Sequence, residues 1–204
     1  MNLEETLSYI LQIETAITEI YERLGALFED NEKTEAFWEE MYQGRVEQIR
    51  LLDRCRAVSP SPDSRRLPGR EISYQDLLNQ VTQYETEILE KRPDLNRALR
   101  IAFHLETLSI QSIFNEMIKL PREPFFQILS ELHLGVRRNM GRLIRGIEAF
   151  CSDPELLFRV FEIKERVVER RSGDDRREGR AEFAGENRRQ EDRRKGDLVK
   201  IVWL

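Results

Sequence analysis

Two glutamates set the chemical question in this 204-residue chain. Glu14-Thr15 and Glu106-Thr107 are the same pair at an offset of 92 residues, and each Glu falls inside an apolar stripe of helical spacing. A carboxylate in such a place is desolvated, so it must bind a cation, accept hydrogen bonds or hold a proton. Metal coordination is one such chemistry and an internal ion pair is another. A second echo, at an offset of 91 residues, aligns Glu40-Met41-Tyr42-Gln43-Gly44 with Glu131-Leu132-His133-Leu134-Gly135. It brings Arg45 and Gln48 into register with Val136 and Asn139. Each of these pairs is spaced i, i+3 and shares a helix face. Glycine-rich phosphate loops, Ser/His/Asp or Cys/His catalytic orders and zinc-type spacings are absent from the sequence. His104 and His133 sit on helix flanks and read as hydrogen-bonded structural residues, while Trp38 reads as a packing group.

The elements that must carry these residues are helical. Residues 3–28 place Leu7, Ile10, Ile17, Tyr21, Leu24 and Phe28 on one stripe, with Glu14 in its middle. A second helix over 33–57 has Phe37, Met41, Leu52 and Cys55 facing inward, Gly44 beside them, and Arg45 and Gln48 at core-facing positions. The proline-rich segment 59–70 cannot continue a helix and is expected to be a crossover linker. Ser73 and Asp76 resemble a capping box for a crossover helix within 71–92, carrying Tyr74, Leu77, Val81, Tyr84 and Ile88 inward and ended by Pro93. A helix over 94–120 carries Leu95, Leu99, Ala102, Ile113 and Met117 with Glu106 in its stripe. Pro121 and Pro124 are read as breakers before a helix over 125–150. That helix uses Phe125, Leu129, Leu132, Val136, Leu143 and Phe150, with Asn139 among them. Asp153-Pro154 then opens an extra helix within 153–169, using Leu156, Val160, Ile163 and Val167.

Each half is therefore a helical hairpin with a core glutamate on its first helix, and two hairpins joined by a crossover make a four-helix bundle. In phase and spacing, residues 3–150 resemble the rubrerythrin and ferritin-like family. That family places one Glu on the first helix of each hairpin and a Glu-x-x-His pair on the second, around two iron ions. The resemblance matches Glu14 and Glu106 to the lone glutamates. The two Glu-x-x-His positions are Arg45/Gln48 and Val136/Asn139 here, so two of six ligands remain and both histidines are lost. Such a set gives iron neither the charge balance nor the imidazole it needs. No metal, cofactor or catalytic residue is assigned, and ferroxidase and peroxidase activities are not expected.

In the geometry implied by the resemblance, Arg45 enters where a metal pair would sit. Its guanidinium could pair with Glu14, Glu106 or both, with Gln48 and Asn139 donating further hydrogen bonds. The competing reading turns Arg45 outward and satisfies each Glu with a hydroxyl from Thr18, Ser109 or a tyrosine.

Composition bounds the rest. The sequence has 40% hydrophobic and 35% charged residues, with 10 Gly and 7 Pro. Together with the helical spacing, this indicates an all-α chain with amphipathic surface helices. It has no apolar run long enough to span a membrane, and its acidic start is unlike a signal peptide. Cys55 and Cys151 form no CxxC pair and are expected to be buried thiols in a reducing, bacterial-type cytoplasm. The net charge of −5 hides an asymmetry: residues 164–200 hold 13 basic against 10 acidic residues, or +3, leaving −8 for the remainder. Residues 170–197 form a polyampholyte tail with the pairs Arg170-Arg171, Arg176-Arg177, Arg188-Arg189 and Arg193-Arg194. Its abundant acids and near absence of aromatics speak against nucleic acid. The final segment 198–204 (LVKIVWL), including Trp203, is a hydrophobic peptide able to dock on its own protein or be read by a partner. Some ferritin-like proteins carry a C-terminal extension of this layout that loads them into a protein shell. The leading expectation is a non-enzymatic, homodimeric interaction or regulatory module with its tail as contact element. Two alternatives stand beside it. One is a metal-binding or oxidative-stress protein of the rubrerythrin type, recruiting Glu47, Glu85 or His104. The other is nucleic-acid binding through the tail.

Overall fold

A computed structural model describes residues 3–58, 74–109 and 122–164 of the chain. The described residues are helical, with no strand among them. The chain divides into two compact units, Met1–Cys151 and Ser152–Leu204.

Among the described residues, unit one holds five helices. Helix α1 spans Leu3–Leu27 and α2 spans Glu32–Ala57. Helix α3 spans Tyr74–Lys91, α4 Leu95–Leu108 and α5 Arg122–Phe150. In α1 the apolar stripe is fully buried through Leu7, Ile10, Ile17, Ile20, Tyr21 and Leu24. Burying each such side chain contributes about 1.5–3 kcal/mol, enough to order a helix that propensity alone would leave marginal. The α1–α2 turn is closed by Asn31, whose Oδ1 accepts from the Lys33 and Thr34 amides at 3.0 and 3.3 Å. Helix α3 ends where Arg92 turns left-handed, with φ of 45°, just before Pro93. Asp94 then caps α4 by accepting from the Arg97 amide at 2.8 Å.

One boundary departs from the reading of prolines as breakers. Helix α5 begins at Arg122, not residue 125, and Pro124 lies in its first turn. The first four amides of a helix have no intrahelical acceptor, so a proline there costs no hydrogen bond.

Helix α1 packs against α2 and α3, α2 against α5, and α4 against α5. The α2–α5 seam is close at two glycines. A Cβ at Gly44 would collide with the Asn139 amide, and one at Gly146 with the Phe37 ring. Phe37 in turn stands edge-on to Trp38, with ring centroids 4.7 Å apart. Helices α3 and α4 are clasped by a forked Arg97–Glu87 pair at 2.6 and 2.7 Å and by Tyr84 Oη against His104 Nδ1 at 2.6 Å. None of the described helices is long and apolar enough to cross a membrane.

In unit two, a helix over 154–164 (α6) starts on Asp153, whose carboxylate accepts from the Glu155 amide at 3.0 Å. Leu156 and Val160 are buried, while Phe158 and Phe161 are exposed. Cys55 is buried as expected, but Cys151, just beyond α5, is only half-buried. Burial pushes the Cys55 thiol up to about 11, so it carries little thiolate at neutral pH. Outside the described residues lie the 59–70 linker, residues 71–73, Ile113 and Met117, Val167 and the end of the extra helix, and the whole 170–197 and 198–204 segments with their arginine pairs and Trp203.

Candidate functional site

The centre of unit one is polar. Arg45 of α2 is 0% exposed, with Glu14 of α1 and Glu106 of α4 each at 1%. Its Nη1 lies 2.5 Å from Glu14 Oε2, and its Nη2 lies 2.8 Å from Glu106 Oε1. The second contact is a close ion pair between α2 and α4. One guanidinium thus joins carboxylates brought in by two other helices.

Hydroxyls complete the arrangement. Ser109 Oγ donates to Glu14 Oε1 at 2.5 Å and accepts from Arg45 Nη1 at 3.1 Å. Tyr21 Oη donates to Glu106 Oε1 at 3.0 Å, and its ring lies 5.8 Å from the guanidinium carbon. Gln48 accepts from Arg45 Nη1 through Oε1 at 3.1 Å. Nη1 therefore faces three acceptors with two hydrogens, so one bond is shared. The inward arginine and the hydroxyl partners, opposed as alternatives in the sequence, coexist here.

Other candidates take different places. Gln48 accepts from Arg45 instead of donating to a carboxylate, and its Nε2 has no partner among the described residues. Asn139 faces Gly44 and accepts from Arg142 Nη1 at 3.1 Å, so its amide serves the α2–α5 seam. Val136 is a buried apolar residue of α5. Glu47 lies 4.0 Å from Arg138, Glu85 bonds Arg23 at 3.1 Å, and His104 meets Tyr84. None of them joins Glu14 and Glu106: among the described residues no three His, Cys, Asp or Glu side chains gather as a metal-holding group. His133 is half-buried, and burial together with Arg137 lowers its pKa.

The electrostatics follow from the charge count. Two carboxylates face one guanidinium, a formal balance of −1 if all three ionise. Burial raises the Glu106 pKa, and the charge of Glu14 adds to that rise, against the pull of Arg45 and the Tyr21 hydrogen bond. Burial works against the charged form of Arg45, but Glu106 and Glu14 outweigh it and hold its pKa above the usual arginine value. Burial and Glu106 together push the Tyr21 phenol well above its ordinary value. Arg45 is a permanent cation, Tyr21 a permanent donor, and Glu106 the group inclined to take up a proton.

A di-iron centre does not fit these residues. The guanidinium already supplies positive charge at both carboxylates, and further metal ions there would meet its repulsion without imidazole ligands to hold them. Nor do the residues form a nucleophile–base pair, since the carboxylates are locked to Arg45, Ser109 and Tyr21. What the arrangement does is tie α1, α2 and α4 together at their centre. Comparison with family models, curated proteins and solved structures finds no match to this chain.

Proposed function

We propose that this chain is a non-catalytic helical bundle of ferritin-like design in which a buried arginine takes the place of the metal pair. It acts as a protein-interaction or regulatory module, homodimeric and cytoplasmic, with its C-terminal extension as the contact element. The observation that carries the non-catalytic reading is the placement of Arg45 against both Glu14 and Glu106. A side chain occupying the one buried polar centre described converts a candidate reactive site into a structural one. With that centre closed, recognition at the surface is the function this reading favours. The extension is distinctive there by composition, with four arginine pairs and a hydrophobic end.

Two measurements test the proposal. Elemental analysis of purified protein is expected to find iron and manganese far below one ion per chain; stoichiometric metal supports the oxidative-stress alternative instead. A pull-down comparing the full chain with one ending at Val168 is expected to lose its specific partners in the shorter form. Identical captures rule out the extension as the contact element. Capture that collapses steeply with salt and vanishes on nuclease treatment points to nucleic acid.

A further inference from the structure

The outer side of the α2–α5 seam carries two matched rows of residues. On α2, Glu47, Leu51 and Arg54 follow at spacings of four and three and share one helix face. On α5, Glu131, Leu134 and Arg138 do the same at spacings of three and four. Three ion pairs mark where the rows meet: Arg54 with Glu131 at 2.9 Å, Arg142 with Glu40 at 3.6 Å, and Arg138 with Glu47 at 4.0 Å. These pairs run in opposite senses along the two helices, so α2 and α5 are antiparallel. Glu47 lies level with Arg138 and Arg54 with Glu131, which sets Leu51 level with Leu134 between them. Leu134 is 59% exposed, and Leu51 is half-buried.

Two features fit this face to a partner. The ion pairs are open to solvent: the Arg138 and Glu47 side chains are 59% and 61% exposed, and those of Arg54 and Glu131 53% and 40%. A carboxylate has two oxygens and a guanidinium five N–H groups, so each can take a second partner and keep the first. The other feature is order. Acid, apolar and base along α2 are met by base, apolar and acid along α5. A face whose two halves match across a seam also matches its own copy turned over about that seam.

We infer that the homodimer proposed above, on which this assignment rests, forms across the α2–α5 face, with a two-fold axis along the seam laying α2 of each copy antiparallel on α5 of the other. Rotation about such an axis keeps every residue at its own height. Glu47 then meets the partner's Arg138, Arg54 the partner's Glu131 and Leu51 the partner's Leu134, and each contact occurs twice. Helix α2 has 26 residues, a length of about 39 Å, and two helices side by side are about 20 Å wide. Such a face covers about 800 Å² on each copy, the size of a stable interface.

The test uses the full chain in two charge-reversed forms. Glu47→Arg/Arg54→Glu reverses the α2 row, and Glu131→Arg/Arg138→Glu reverses the α5 row. Alone, each form sets like charges against each other throughout its own homodimer. Mixed one to one, the reversed α2 row meets the reversed α5 row and the two unreversed rows meet each other, so the interface is complementary again. Sedimentation equilibrium is expected to find the parent dimeric and each form alone with a dissociation constant about 100-fold higher. The mixture is expected to return to within about threefold of the parent. Helical circular dichroism of both forms is expected to match the parent, since exposed pairs hold little of the fold. Leu134→Ser, which touches no ion pair, is expected to weaken the parent dimer about tenfold. A mixture that stays monomeric overturns the proposal, and so does a dimer that Leu134→Ser leaves unchanged. A dimer that neither reversed form weakens overturns this face and leaves the homodimer standing. A monomeric parent overturns both together.

Discussion

At the residue scale, the charges in the centre depend on one another. Replacing Arg45 by Met leaves Glu14 and Glu106 buried without their cation. Loss of one partner of a buried pair costs about 3–5 kcal/mol, so urea unfolding of Arg45→Met is expected to show a loss of that size. A loss well below 1 kcal/mol would mean that Arg45 does not hold the carboxylates. The two glutamates are not equivalent. Glu14 receives both Arg45 Nη1 and Ser109, whereas Glu106 carries the excess charge. Glu106→Gln is therefore expected to cost within about 1 kcal/mol, and Glu14→Gln about 3 kcal/mol. Glu106 also shapes the pH dependence. Its folded pKa is raised above the unfolded value of about 4.3, so the folded state holds the proton more tightly. Its contribution is full below pH about 4.3 and is lost as pH rises through the folded pKa. His133 acts oppositely: its folded pKa is lowered, so its contribution is present above pH about 6.5 and lost as pH falls through the folded value. Unfolding free energies across mild acid are thus expected to fall less with rising pH in Glu106→Gln than in the parent, and His133→Gln is expected to remove the opposite slope.

At the element scale, the close approach of α2 and α5 makes a contrast among glycines. Gly44→Ala drives a methyl into the buried Asn139 amide, and Gly146→Ala into the Phe37 ring. Each is expected to cost about 1–3 kcal/mol in urea unfolding. At Gly141 the nearest atom to an added Cβ is the end of the flexible Arg145 side chain, at 3.7 Å. Gly141→Ala is expected to stabilise by about 0.5–1 kcal/mol through helix propensity alone. These glycines also mark where sequence reading stops. The three–four spacing places Leu7, Ile10, Ile17 and Leu24 on one stripe, and the same phase carries Glu14 inward. Spacing along one helix says nothing about which helix lies opposite, so the Gly44–Asn139 and Gly146–Phe37 approaches were not legible. A tyrosine hydroxyl was among the expected partners of the glutamates, but not which one: Tyr21 meets Glu106 only because α4 passes at that height. The start of α5 was misplaced for a simpler reason, since proline breaks a helix only where an amide is needed.

At the scale of the whole molecule, acidic and basic residues are unevenly shared, with −8 outside residues 164–200 and +3 within them. The helical content was legible because amphipathic periodicity persists over whole helices. The pairing of Arg45 with Glu14 and Glu106 was legible only through the internal repeat and the resemblance it exposes, and only as one of two alternatives, because the meeting of α1, α2 and α4 is a long-range contact that no pattern within one helix encodes. A helical unit pinned at its centre by an ion pair needs no metal to hold its shape, so prolonged chelation is expected to leave its thermal unfolding unchanged. The most direct measurement is X-ray diffraction from crystals soaked in iron and manganese salts, with anomalous data at both absorption edges. The account predicts planar guanidinium density from Arg45 between Glu14 and Glu106, and no anomalous peak there. A peak between those two carboxylates, with Arg45 turned aside, would contradict it.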